Sequence, residues 1–224
     1  MLKIENLFLI GSSHIAKESV NEVKTAFSEI EPDIVALELD QIRLYLILNP
    51  KKRKNSLKDI RSIGLTGYIF NIIGAITEKK MGKLVGMEPG AEMKEALKLA
   101  KQNNTKISLI DQDIRITLKR LSEELTIKEK MRFAIDIFGV GLFKKQIKEI
   151  DLTKVPDKKF IKKLTNIVKK RYPSIYKVLI KERDKILAKN LNTLITNYPD
   201  KKILAIVGAG HEDSIIKYIK NVKK

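Results

Sequence analysis

The chain has 224 residues, 45 Lys and Arg against 27 Asp and Glu, a formal charge of +18, two histidines and no cysteine. Disulfides, thiolate metal sites and cysteine nucleophiles are thereby excluded, so any metal site must be built from His, Asp, Glu and water. The length suits one large domain with room for an inserted segment, and Met1-Leu2-Lys3-Ile4-Glu5 shows no signal peptide pattern.

Leu7 to Ile10 reads as a buried strand ending in the tetrad Gly11-Ser12-Ser13-His14. Lys17 to Ile30 follows as a helix with Val20, Val23, Phe27 and Ile30 on one face, closed by Glu31-Pro32. Ile34 to Leu39 is a second apolar run, and its lack of alternation predicts a strand parallel to the first and covered on both faces, a β-α-β unit. Glu38 interrupts that run, and an ionised carboxylate there must meet a cation, a metal or a hydrogen-bond donor. Asp40 and Arg43 stand at the start of the next helix, within reach of the same strand end or of each other.

Lys51 to Lys54 is a basic run, and Ile63 to Ile76 is a glycine-punctuated apolar stretch with Tyr68 and Phe70. It is shorter than the roughly 20 apolar residues of a membrane span, so core packing or a dimer contact is expected of it. Gly86 to Gly90 reads as a turn opening a helix from Ala91, where Glu92, Ala96 and Leu99 at i, i+4 and i+7 turn the glutamate inward. Ile107 to Asp111 is a third strand, with Asp111 and Asp113 at its end and Arg115 starting another helix. From Leu125 to about Ile180 the pattern is helical and lysine-rich, with Gly139 and Gly141 its glycines, an inserted helical subdomain with a solvated basic face. Arg183 then shares a helical side with Leu187, Leu191 and Leu194, and a guanidinium so placed needs an anion. Glu182 and Asp184 flank it, although adjacent helical residues face apart. Ile203 to Val207 is the last strand, followed by Gly208-Ala209-Gly210-His211 and a helix through Ile215, Ile219 and Val222.

Both histidines therefore fall in a GxxH tetrad after an apolar strand, and open α/β folds gather ligands outside the carboxyl ends of their strands. Neutral imidazole binds metal or moves protons near neutral pH. The stretches around these strand ends hold only Arg43 and Arg115 of the 45 basic residues while carrying Glu38, Asp40, Glu88, Glu92, Asp111, Asp113, Glu212 and Asp213. A cation or acid–base pocket needs such a clearing, although buried strands also exclude lysine.

Five ordered segments resemble the TraB family: Gly11 to Val20, Pro32 to Asp40 with Arg43, Glu88 to Met93, Glu182-Arg183-Asp184, and Val207 to His211. That family includes pheromone-shutdown proteins and is grouped with Tiki-type metalloproteases and erythromycin esterases. The resemblance implies an α/β domain spanning 1–224, with a mixed, largely parallel sheet, flanking helices and the helical insertion at about 125–180. It implies a centre of His14, Glu38 and His211, surrounded by Arg43, Glu92, Asp111, Arg115 and Arg183. Members usually continue into membrane-spanning helices, so the chain is expected to be the soluble part of a membrane-associated protein, or else cytoplasmic.

The expected activity is that of a metal-dependent hydrolase, chiefly a peptidase, acting on peptides or small molecules. His14, Glu38 and His211 would hold a divalent Mn, Co or Zn ion, with Glu38 as alternative general base and Arg43 or Arg183 on the oxyanion. Two alternatives accompany it: a metal-independent, esterase-like hydrolase, and a non-catalytic peptide or signal-binding module. A homodimer is expected. Nucleic acid is not, because no nucleic-acid motif accompanies the lysines and aromatic residues make up only 6%.

Overall fold

Five strands, β1 (Leu2–Ile4), β2 (Leu7–Ser12), β3 (Ile34–Leu37), β4 (Lys106–Leu109) and β5 (Ile203–Gly208), make one sheet in the order β1-β2-β5-β3-β4. The computed structural model describes residues 1–12, 17–49, 61–64, 66–72, 88, 90–138 and 158–222, without the side chains of 134, 137, 138 and 222. β2, β5, β3 and β4 run parallel, and β1 alone is antiparallel, folded back on β2 with Leu2 opposite Leu9. The class is α/β with a mixed, largely parallel sheet, as the uninterrupted apolar runs require.

Alternation along the strands divides the core into two layers. Ile10, Val35, Leu37, Leu204 and Ile206 face α1 (Lys17–Ile30) and α3 (Ala91–Gln102), with Leu44 and Ile47 of α2 (Gln41–Leu48) packed at the margin. Leu7, Leu9, Ile34, Ala36, Ile203, Ala205 and Val207 face α8 (Arg183–Asn197) and α9 (Glu212–Val222). Leu9, Leu37, Ile203 and Leu204 are at most 1% exposed, and full burial of each such side chain stabilises by roughly 1.5–3 kcal/mol.

A third apolar cluster lies in the helical segments. It joins Leu121 of α4 (Ile114–Glu124) and Leu125 to Tyr172, Ile175 of α7 (Pro173–Tyr176) and Val178. Phe133 of α5 (Ile127–Phe138) stacks on Phe70 with ring centroids 4.3 Å apart. Of the apolar stretch expected to pack, Ile63 is buried, Phe70 lies half-buried against this cluster and Ile69 is exposed, while residues 65 and 73–76 lie outside the described set. α6 (Lys158–Arg171) carries the lysine face, and a π-helical turn, Lys177–Glu182, runs into α8 without a break. The basic run 51–54, Gly139 and Gly141 lie outside the described residues.

Two sequence expectations change at the strand ends. β2 does not stop at Gly11 but continues through Ser12, which pairs with Gly208, so the first glycine of each tetrad belongs to its strand. Glycine at 11 suits a close approach: a Cβ would displace the Glu212 carboxylate and lie 3.2 Å from Ala209 Cα. Glu38 lies one residue past β3, at the apex of a tight turn in which the Leu39 N–H returns to the Leu37 carbonyl at 2.7 Å.

The connections create a crevice. The helices after β2 and β3 cover one face of the sheet and the helix after β5 covers the other. The chain therefore parts in opposite directions between neighbouring strands, which opens a gap at their carboxyl ends.

Candidate functional site

Four carboxylates, two guanidiniums and one imidazole meet in this crevice. Glu38, 3% exposed, accepts the Gly208 N–H on Oε2 at 2.6 Å and pairs through Oε1 with Arg183 Nη2. The turn after β3 is thereby tied to the end of β5. Asp111, two residues beyond β4, receives Arg183 Nε at 3.0 Å and Arg43 Nη2 at 2.6 Å on the same oxygen, Oδ2. Its other oxygen accepts the Gln112 N–H at 2.8 Å. Arg43 is held from behind, since its Nε donates to Asp40 Oδ2 at 2.6 Å. Asp40 in turn caps α2 by accepting the Ile42 and Arg43 N–H groups.

Burial opposes the charge on Arg183, but Glu38 and Asp111 outweigh that effect and hold its pKa above the ordinary arginine value. It stays a cation locked between two strand ends. Removing either anion would leave a buried charge half compensated.

His211 follows β5, and its N–H donates to the Gly208 carbonyl at 2.9 Å. Its Nδ1 lies 2.6 Å from Asp184 Oδ1, with both residues buried. Its Nε2 faces the cluster, 3.4 Å from Arg183 Nη1 and 3.7 Å from Glu38 Oε1. An ionised carboxylate only accepts, so the proton sits on Nδ1 and Nε2 is left with a lone pair toward the crevice.

Asp184 is the residue sequence reasoning left aside. Arg183 reaches forward to Asp111 and Glu38, while the next residue of α8 turns to the imidazole. Its signal was available, because Asp184, Ala188, Leu191 and Ile195 form a buried stripe at i, i+4, i+7 and i+11.

The structure thus brings together Glu38, Arg43, Asp111, Arg183 and His211. Glu92 is 1% exposed in the first turn of α3, in the layer covering the opposite face of the sheet. Arg115 turns to solvent and grips Asp113, whose carboxyl it draws below the ordinary aspartate range, rather than joining the Arg43–Asp111–Arg183 network. Proximity explains this, since Asp113 caps α4 two residues away and offers the nearer anion. His14 lies outside the described residues. Ser12, 2% exposed at the end of β2, carries a buried hydroxyl oxygen with no hydrogen-bond partner among the described residues.

The described donors do not by themselves fit a divalent ion. His211 Nε2 and Glu38 Oε1 are the pair that could share one, but the Arg183 guanidinium lies against both and neutralises Glu38. A dication between them would face an immovable positive charge. Among the described residues no group of three acidic or imidazole side chains is arranged as a ligand set.

A family model described as TraB/PrgY/gumN matches residues 3–224. An uncharacterized protein of Methanocaldococcus jannaschii is 36% identical over 97% of this chain and 54% of its own length. The TraB domain-containing proteins of Homo sapiens and Mus musculus are 25% and 24% identical over 80% of this chain and 50% of theirs. The chain therefore spans about half the length of the relatives it matches. Among the described residues no helix is long and apolar enough to cross a membrane.

Proposed function

The chain belongs to the TraB/PrgY/gumN family, and on that footing we propose that it is a hydrolase of acyl bonds, in peptides or small esters, whose general base is His211. The observation that carries this reading is the buried Asp184–His211 pair with Nε2 directed at a fixed guanidinium.

The roles follow from the hydrogen-bond directions. A water donating to Nε2 gives up its proton as its oxygen attacks the acyl carbon. Asp184 holds the tautomer in which Nε2 accepts, its lone pair turned to Arg183 Nη1 at 3.4 Å until water takes that place, and stabilises the imidazolium that forms, and the proton then passes to the leaving amine or alkoxide. Such proton transfer contributes typically ~10²–10⁴-fold. Arg183 presents Nη1 beside Nε2, where it can donate to the oxyanion of the tetrahedral intermediate, and a preset donor of this kind is worth roughly 10²–10³-fold. Glu38 and Asp111 serve by holding that guanidinium still. Arg43, 26% exposed at the mouth, offers a second cation to a substrate carbonyl or carboxylate.

A carboxylate on Nδ1 also orients metal-binding imidazoles in other proteins, but the Arg183 guanidinium against Nε2 and Glu38 weighs against a metal-assisted version here. One experiment separates the readings. p-Nitrophenyl acetate and a quenched fluorogenic peptide library are offered to the protein and to His211→Ala, with and without EDTA. Hydrolysis lost in the variant and retained with EDTA is expected. Hydrolysis that EDTA stops and Mn, Co or Zn restores would assign the metal version. Peptide binding with turnover no faster than His211→Ala would make the protein a binding module instead.

A further inference from the structure

A cleft of about 730 Å³ opens beside the Ala209-Gly210 segment, between α6 and the first turns of α9. Its floor is one residue away from His211. Lys158, Lys162 and Asn166 form the α6 wall, Tyr176 closes one end, and Ser214 and Lys217 come from α9. Lys162 and Asn166 also border a second, shallower and more open groove along α6, lined further by Lys159, Lys163 and Lys170.

The charges here are unequal. Only two carboxylates, Glu212 and Asp213, line this surface beside those six lysines. Lys158 meets Glu212 at 3.0 Å and Lys162 meets Asp213 at 3.3 Å, so the two acids pin α6 across the cleft, while Lys159, Lys163, Lys170 and Lys217 are left to a ligand.

Gly210 supplies the second observation. Its φ is ordinary and a Cβ built on it would meet nothing within 4 Å, so neither backbone strain nor packing requires glycine there. Among the described residues nothing fills the space in front of it, so a chain could pass close to the backbone there. Gly11, by contrast, is hemmed in by Glu212.

We propose that the cleft and groove seat an acidic polypeptide segment in extended form, its backbone crossing Gly210 toward His211 and its carboxylates lying along Lys159, Lys163, Lys170 and Lys217. This names the substrate class of the hydrolase reading and rests on that reading only for what happens at His211. Single-stranded nucleic acid fits less well, since base stacking needs aromatic platforms and Tyr176 is the single aromatic residue lining this surface among the described residues.

The test is fluorescence anisotropy with three labelled probes: a decapeptide of alternating Glu and Ala, its Lys and Ala counterpart, and a twelve-residue oligothymidylate. The acidic peptide should bind, weaken as salt rises, and lose about tenfold in affinity with Lys163→Glu/Lys217→Glu. Gly210→Leu should weaken it similarly without lowering the melting temperature. No binding of the acidic peptide, binding unaltered in both variants, or tighter binding of the oligonucleotide would each overturn the proposal. If the acidic peptide binds as stated to a protein that hydrolyses nothing, the seat stands and the hydrolase reading falls. If His211 supports ester hydrolysis while the acidic peptide neither binds nor competes, the reverse holds.

Discussion

Replacing Asp184 by Asn exchanges one oxygen for a nitrogen and removes one charge, at a position 2.6 Å from His211 Nδ1 in a buried contact. The amide can turn its N–H toward Nδ1, which moves the imidazole proton to Nε2 and deprives water of its acceptor. The imidazolium of the transition state also loses its counter-charge. With about 4 Å between charge centres and an effective dielectric constant of ~20, that interaction is worth roughly 4 kcal/mol. Divided by 1.36 kcal/mol per tenfold, this corresponds to a fall in kcat of about 10³. The assay is hydrolysis of p-nitrophenyl acetate by the protein, Asp184→Asn and Asp184→Glu, beside nitrogen NMR of the imidazoles. With two histidines in the chain, His14→Ala assigns the remaining signal. A positioning role predicts a switch of the protonated nitrogen in Asp184→Asn, partial recovery in Asp184→Glu and a melting temperature that does not track kcat. A kcat within threefold of the parent, or an unchanged tautomer, would refute the argument.

Arg183→Ala takes the guanidinium from buried Glu38 and leaves Asp111 with Arg43 alone, and breaking such a buried pair costs about 3–5 kcal/mol. For a domain of this size that lowers the melting temperature by roughly 10 °C; a loss under 1 kcal/mol would show the network to be weak. In the helical layer, hydrogen bonds from Arg171 draw Asp136 below its ordinary 3.8 against the opposing effect of burial, with Tyr172 donating a further bond. A depressed folded pKa contributes stability that is present above the unfolded value and lost as pH falls through the folded one. The difference in melting temperature between the protein and Asp136→Asn should therefore be largest above about pH 5, kept small by the part-exposed Arg171, and shrink below pH 4. A difference independent of pH would contradict this.

How much of the site could be read in advance depended on the kind of signal each residue carried. Glu38 and Arg183 stood out as charges in apolar company, and burial does force them together. Asp184 was passed over because the neighbouring arginine drew attention to sequence adjacency, whereas the stripe with Ala188, Leu191 and Ile195 was the informative pattern. Arg115 looked equivalent to Arg43, both opening helices after strand ends, yet Arg115 found Asp113 two residues away and Arg43 reached across to Asp111. Local spacing cannot distinguish those outcomes. The three-residue β1 is too short to carry a period, and the π-helical turn before Arg183 leaves no compositional mark.

What the order of residues alone determined was the set of elements: apolar runs with no alternation demand parallel strands buried on both sides, and the 3.6-residue stripes of α1, α3 and α9 demand helices laid on them. The tertiary structure decided which charges meet. The strand order places β5 between β2 and β3, so His211, Glu38 and Arg183, distant along the chain, share one crevice. Desolvation there leaves no partner but one another, and that long-range pairing is the part no local pattern encodes.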